Sequence, residues 1–434
     1  MGKANTDPSM IAANNRYSSF KQQCFSTSTK RQVTVAATAP QVNNNSNNNN
    51  KGMKDEYGDM NSEGSTYIHH GKFTLESGQS LQDVQLRYQT YGKMNAKRDN
   101  VIVICHALTG NASLHSWWGD LLGPTMAFDT DKYFVVCCNV LGSCYGSTSP
   151  QSPKQNNGHD ADDNSNYGLD FPDVSVQDTV RIQLEMLQKK LQVDSIKCVI
   201  GGSFGGMQAI EFAVQGGSME APFTTIDGYP MVRSVVPIAC GAAHTAWQIA
   251  ISEVQRQAIY ADPNWKTQPE KAFAGLSVAR QMGMVSYRTA IGYESKFGRH
   301  LQQANINDEK APVASSYGSH AKWQVKSYLE YQGRKFLNRF DPVTYVKLTE
   351  QMDSHDVGRN RGGIAQALDS VTIPALVLGI DSDVLYPLKE QEQMASMLPN
   401  GHFETIRSDD GHDGFLIEQD QVASHITKFL DAHD

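Results

Sequence analysis

The chain has 434 residues, 39% of them hydrophobic, and a formal net charge of −8. That length holds one large domain with an insertion, or two ordinary domains. The mild negative charge gives no electrostatic footing for a nucleic-acid partner, and no apolar run approaches the roughly 20 residues that span a bilayer.

The first sixty residues differ from the rest. Lys3, Arg16, Lys21, Lys30, Arg31 and Lys51 face only Asp7 before Asp55, and an Asn-rich tract runs from Asn43 to Asn50. A segment so poor in apolar residues cannot bury enough surface to fold by itself. Its basic, Ser-rich, acid-poor composition also suits an organelle transit peptide, mitochondrial or other. A disordered tail on a cytoplasmic protein fits equally, whereas a secretory signal is excluded because no continuous apolar core is present.

Beyond the tail, residues 61–434 read as one catalytic domain. Short β-branched runs at Val101–Cys105, Tyr133–Val140, Lys197–Ile200, Val232–Cys240, Ala375–Ile380 and His402–Ile406 predict strands. Val180, Leu184, Leu187 and Leu191 fall on one face of a helix between them. Continuous apolar strands alternating with amphipathic helices predict an α/β fold with a mostly parallel sheet, covered on both faces. From about 243 to 369 the strand pattern stops, and the sequence becomes rich in Gln, Arg, Tyr and Met. We read this stretch as a helical lid inserted between two strands of one sheet. The seven cysteines are scattered and form no C-x-x-C pair, which predicts buried free thiols and neither a disulfide framework nor a zinc site.

The chemistry centres on Gly201-Gly202-Ser203-Phe204-Gly205, directly after the apolar run ending at Ile200 and before a helix-like run through Phe212. G-x-S-x-G between strand and helix is the nucleophile elbow of the α/β-hydrolase fold, in which small residues permit a sharp turn around an exposed serine. In that fold the acid and the histidine follow in chain order. Asp381 and Asp383 lie just past Ala375–Ile380, and His412 lies past His402–Ile406. Spacing alone does not separate the two aspartates. The oxyanion donors are expected from the N–H of Phe204 and from the loop His106–Gly110, with Leu108 as the candidate there.

These segments resemble the homoserine O-acetyltransferases of methionine biosynthesis. The resemblance rests on His106–Gly110, Trp117-Trp118, Asn139–Thr148, Gly201–Gln208, Gln255–Ile259, His355–Arg359 and Gly411–Leu416. It runs from about Thr66 to the C-terminus. It implies Ser203 as nucleophile, Asp383 as the triad acid and His412 as the base. It further implies that Arg280 and Asp413 contact the amino-acid substrate, Arg280 through the carboxylate and Asp413 through the ammonium. The implied substrates are acetyl-CoA and L-homoserine, acetyl-CoA being a co-substrate, with no metal or other cofactor. A homodimer is the expected assembly. The chain departs from the family pattern where Lys266-Thr267-Gln268 follows Asp262-Pro263-Asn264-Trp265, and in a polar, acidic stretch from His159 to Asn166.

No G-x-x-x-x-G-K-[ST] loop is present, and no G-x-G-x-x-G follows the first strand, which argues against nucleotide hydrolysis and nicotinamide chemistry. An esterase is the nearest rival, because the same triad hydrolyses esters when water reaches the acyl-enzyme. Serine as acceptor and succinyl-CoA as donor are rivals within the family. A binding protein on a dead fold would have lost a triad residue, and none is lost here.

Overall fold

The most apolar stretches form the centre of the molecule. The computed structural model describes residues 54–55, 58–59, 64–154, 165–302 and 323–433. The tail 1–60, apart from a two-residue strand pairing at 54–55 and 58–59, lies outside them, as does the polar stretch as far as residue 164.

Eight strands make the main sheet: β1 (Ser65–Thr74), β2 (Ser80–Tyr91), β3 (Val101–Cys105), β4 (Phe134–Cys138), β5 (Ile196–Gly202), β6 (Val235–Ile238), β7 (Ala375–Ile380) and β8 (Gly401–Ile406). Their order across the sheet is β8-β7-β6-β5-β3-β4-β2-β1. β3 through β8 run parallel, whereas β2 is antiparallel to β4 and β1 to β2. All six expected strands are present, with ends shifted by up to three residues. β1 and β2 are an addition at the edge.

Alternation along each strand builds two cores. Val101, Val103 and Cys105 join one cluster with Val136 and Val199, while Ile102 and Ile104 join the other with Val135, Cys137 and Ile200. Period-2 geometry sends successive side chains to opposite faces. On the first face lies α1 (Val176–Lys189), whose Val180, Leu184 and Leu187 are buried as expected. Leu191 lies past its end. A capping box starts this helix, with Ser175 Oγ accepting from Asp178 N–H at 3.2 Å and Ser175 N–H donating to Asp178 Oδ2 at 3.1 Å. α2 (Phe204–Gly216) is buried along its whole length in the same layer.

Between β6 and β7 the described residues form six α-helices: α3 (Ala246–Tyr260), α4 (Phe273–Ser286), α5 (Ala290–Phe297), α6 (Gln324–Phe336), α7 (Pro342–Asp353) and α8 (Ile364–Asp369). After β7 come α9 (Leu388–Met397), then β8, a short helix α10 (Gly414–Ile417) and α11 (Gln419–Ala432). Val422, Ile426 and Phe429 of α11 cover the second face. Cys105, Cys137, Cys138, Cys198 and Cys240 are buried free thiols, and Cys144 is a half-buried one. No helix among the described residues is long and apolar enough to cross a membrane.

The topology locates a site. From β3 the chain steps to β4 on one side and then returns to β5 on the other, so the order reverses between β3 and β5. Ligands of open parallel sheets bind outside the carboxyl ends of the strands at such a switch point. The loop after β3 and the turn after β5 meet there.

Candidate active site

β5 delivers Ser203 to this edge. Its backbone has φ +59° and ψ −123°, a conformation that costs a non-glycine residue about 1–3 kcal/mol. The neighbouring glycines make the turn possible. A Cβ on Gly205 would overlap the Cys105 carbonyl, and one on Gly201 would overlap the Gly205 carbonyl. Strand, turn and helix therefore approach closer than side chains permit. The Ser203 N–H donates to Ile238 O of β6 at 2.9 Å, which helps hold the strained residue.

His412 sits in the short turn Gly411–Asp413 after β8. Its Nε2 lies 2.8 Å from Ser203 Oγ and its Nδ1 lies 2.7 Å from Asp383 Oδ2. The other Asp383 oxygen accepts from Leu385 N–H at 2.8 Å and Tyr386 N–H at 2.9 Å. A carboxylate held this way only accepts, so Nδ1 carries the imidazole proton and Nε2 is left to accept from the serine. Burial disfavours the imidazolium, but the charge and hydrogen bond of Asp383, with the charge of Asp413, outweigh it. The His412 pKa is accordingly raised above 6.5. Asp381 turns elsewhere, accepting from Ser408 N–H at 3.0 Å with Arg407 Nη1 at 3.8 Å. Of the two aspartates, Asp383 is the one that touches the histidine.

Phe204 opens α2, so its N–H has no intrahelical acceptor. Leu108 lies in the turn after β3, closed by Gly110 N–H to Ala107 O at 2.9 Å. Gln208 Nε2 ties the two segments together, donating to His106 O at 3.1 Å and Phe204 O at 3.2 Å. His106 is fully buried and braces the loop: Nε2 accepts from Val140 N–H at 3.1 Å and Nδ1 donates to Ala107 O at 2.8 Å. Burial draws its pKa down to about 4, so it is neutral. From the helical stretch, Arg339 Nη1 donates to Thr109 O at 2.7 Å and to Tyr145 Oη at 2.8 Å.

Arg280, on α4, lies with its guanidinium 5.1 Å from the centre of the Phe336 ring. Among the described residues it forms no ion pair with a carboxylate. Asp413 is half-buried and does have a partner, Arg288 Nε at 2.9 Å. That approach lies off the hydrogen-bonding direction, since the Arg288 Nε–H finds no acceptor. Arg288 also donates to Asp410 Oδ1 at 2.5 Å. Tyr287, whose ring centre is 5.9 Å from that of His412, links the two expected substrate residues. Burial raises its phenol pKa, Arg280 acts to lower it and Asp413 to raise it, so both charges act on this one hydroxyl.

Sequence reasoning did not single out Tyr287, Arg288, Arg339 or Tyr386. Tyr287 was within reach, because it follows Arg280 by two helical turns and shares its face. Arg288 and Arg339 carry no local pattern that marks them.

Residues 100–419 match the alpha/beta hydrolase fold family. The homoserine O-acetyltransferase of Salinibacter ruber (strain DSM 13855 / M31) is 45% identical over 353 residues, 80% of this chain and 92% of that protein. The crystal structure of homoserine O-acetyltransferase from Staphylococcus aureus matches with a TM-score of 0.63 at 26% identity, covering 85% of this chain and 94% of that one. An acetylester hydrolase from Corynebacterium glutamicum reaches a TM-score of 0.68 at 22% identity, covering 85% and 96%, a likeness of fold alone. With 45% identity across nearly the whole length of a relative, and a linked serine, histidine and aspartate at the carboxyl edge of this sheet, the chain belongs to the homoserine O-acetyltransferase family of the α/β-hydrolase fold.

Proposed function

We propose that the chain moves an acetyl group from acetyl-CoA to the hydroxyl of L-homoserine through an acyl-Ser203 intermediate. The observation that carries this reading is the hydrogen-bonded line from Asp383 through His412 to Ser203. His412 Nε2 takes the Ser203 proton as Oγ attacks the thioester carbonyl. The oxyanion is met by the N–H of Phe204 and of Leu108, and collapse expels the CoA thiolate, which takes the proton back from His412. Homoserine then gives its hydroxyl proton to His412 and attacks the ester, and collapse returns that proton to Ser203. Arg280 takes the amino-acid carboxylate and Asp413 the ammonium, with Arg288 sharing Asp413. The reaction asks for no metal and no cofactor beyond the co-substrate.

Purified protein assayed with acetyl-CoA and succinyl-CoA against homoserine, serine and water, following CoA release, tests the substrates. Mass spectrometry after acetyl-CoA alone should find one acetyl group, on Ser203. Acetylation elsewhere, or a better acceptor than homoserine, would overturn the reading.

The assembly we propose is a homodimer formed through the helical stretch. Trp247 and Val254 of α3, and Val278 and Val285 of α4, are each seven residues apart and about half exposed, so each helix turns an apolar stripe outward. Sedimentation equilibrium of wild type and of Val254→Asp with Val285→Asp tests it. Residues 1–60 serve as an organelle address or as a passive tail on a cytoplasmic enzyme, and a reporter fused to them distinguishes the two by its location.

A further inference from the structure

A second histidine–carboxylate pair stands behind the first. His244 follows β6, with its side chain 1% exposed. Its Nδ1 lies 3.0 Å from Asp353 Oδ1, and its Nε2 lies 3.0 Å from Tyr386 Oη. Asp353 ends α7, and its other oxygen accepts from Arg256 Nη2 of α3 at 2.5 Å. Tyr386 is fully buried. Its ring stacks on the His412 imidazole, centroids 5.1 Å and planes 30° apart, while its backbone N–H holds Asp383. One residue thus touches both His412 and Asp383 and is itself held by the helical stretch.

The groups fix the direction of each hydrogen bond. Asp353 only accepts, so His244 Nδ1 carries a proton. Burial drives the Tyr386 phenol well above its ordinary range, so it stays protonated and donates to His244 Nε2. With its proton on Nδ1, His244 satisfies both partners. No step of the proposed reaction uses His244, Asp353 or Arg256. Apolar side chains of the same volume would fill this space without the desolvation cost of buried charge. A polar chain that runs from two helices to the base calls for a reason.

We infer that Tyr386 is a positioning residue for His412, and that the Asp353–His244 pair sets it, so that the base is aligned only while α3 and α7 are seated over the sheet. The inference rests on Ser203, His412 and Asp383 being the reacting groups. The titratable groups facing His412 are Ser203, Asp383, Asp413, Tyr287 and Tyr386; those facing His244 are Asp353, Tyr386, His355 and Glu390.

Tyr386→Phe deletes only the hydroxyl and keeps the ring and the backbone N–H. In the full chain it should lower kcat for CoA release about 5- to 10-fold with KM for acetyl-CoA unchanged. A loosened imidazole loses part of the hold of Asp383, so the His412 titration midpoint should fall by about half a pH unit. The downfield proton NMR resonance of the His412 Nδ1–H reports that midpoint without any substrate, so it is read whichever acyl acceptor the enzyme uses. His244→Asn should give the same changes, and the double variant should be no worse than either single one. An unmoved resonance and midpoint in folded Tyr386→Phe, or losses that add in the double variant, would reduce the network to packing and overturn the inference. If Tyr386→Phe does not fold, His244→Asn alone carries the same two readouts.

Discussion

Replacing Asp383 by Asn is the sharpest test of how the site is wired. The Asp383 side chain is fully buried, and its two oxygens accept three N–H groups: those of Leu385, Tyr386 and His412. In Asp383→Asn the amide oxygen can keep the two backbone donors, which leaves the NH2 facing His412 Nδ1. Two donors then oppose each other unless the imidazole moves its proton to Nε2. In that tautomer Nε2 donates to Ser203 Oγ and cannot accept from it. The expected loss in turnover is about 10,000-fold, or about 5.5 kcal/mol of transition-state stabilisation. Asp381→Asn is the matched control. Its amide oxygen can still accept from Ser408 N–H, and the 3.8 Å contact it gives up is with Arg407, whose side chain is 83% exposed. A pair that exposed contributes little, so activity should stay within about twofold. Release of CoA from acetyl-CoA, measured with a thiol reagent in the pre-steady state, reads both variants. Equal losses, or a larger loss at Asp381, would refute the wiring.

Arg280→Ala should leave the burst of CoA release intact and slow deacylation by homoserine about 30- to 1000-fold, with lysine rescuing only part; slow acetylation in single turnover would put Arg280 at the CoA entrance instead. Activity should follow deprotonation of His412, so kcat/KM for acetyl-CoA should fall on acidification with a midpoint above 6.5, because the folded environment raises that pKa and the protonated form cannot accept from Ser203. A midpoint at or below 6.5 would contradict the balance of charges at the site. Arg361→Ala should destabilise the fold by about 3 kcal/mol in urea denaturation, since it leaves Glu211 of α2 buried without the two-point contact it now has at 2.6 and 2.9 Å. Adding Glu211→Gln should restore part of that loss.

Burial decided how much of this was legible in the sequence. β3 through β7 are covered on both faces, so each reads as an unbroken apolar run. β1 and β2 lie at an edge, where only alternate positions such as Val84, Leu86 and Tyr88 are buried. Their neighbours Asp83, Gln85 and Arg87 hide the strand in a polar average, and a register shift between His69 and Lys72 breaks the alternation further. The elbow was legible because its small residues fall within one five-residue turn: the Gly205 carbonyl excludes a side chain at Gly201, and the Cys105 carbonyl of neighbouring β3 excludes one at Gly205. The choice between Asp381 and Asp383 was not, since both follow the same strand. What separates them is a backbone turn that aims the Leu385 and Tyr386 amides at Asp383. His244, Asp353 and Tyr386 meet only through the tertiary fold, and no periodicity connects them.

The same triad on the same fold serves hydrolysis or transfer, so the difference has to lie in what reaches the acyl-enzyme. Ser203 and His412 are 7% and 4% exposed, and the rings of Tyr287, Tyr386 and Phe415 all pack within 6 Å of the His412 ring, centre to centre. Such walls leave water few approaches to the base, which is the first requirement for an ester that must wait for its acceptor. The second is an acceptor held better than water. A positioned hydroxyl acts at effective molarities of about 10^5 M or more, far above that of the liquid. On the proposed assignment Arg280, which has no carboxylate partner among the described residues, is the group that holds the amino acid there. Both Arg280 and Tyr287 come from α4 and its C-terminal end, outside the sheet that carries the triad. On this reading the sheet carries the reacting groups, α3 and α7 hold the base in line, and α4 chooses the nucleophile. Replacing Arg280 on α4, with the triad and the support of Tyr386 by α3 and α7 untouched, should therefore turn transfer toward hydrolysis while acyl-enzyme formation persists.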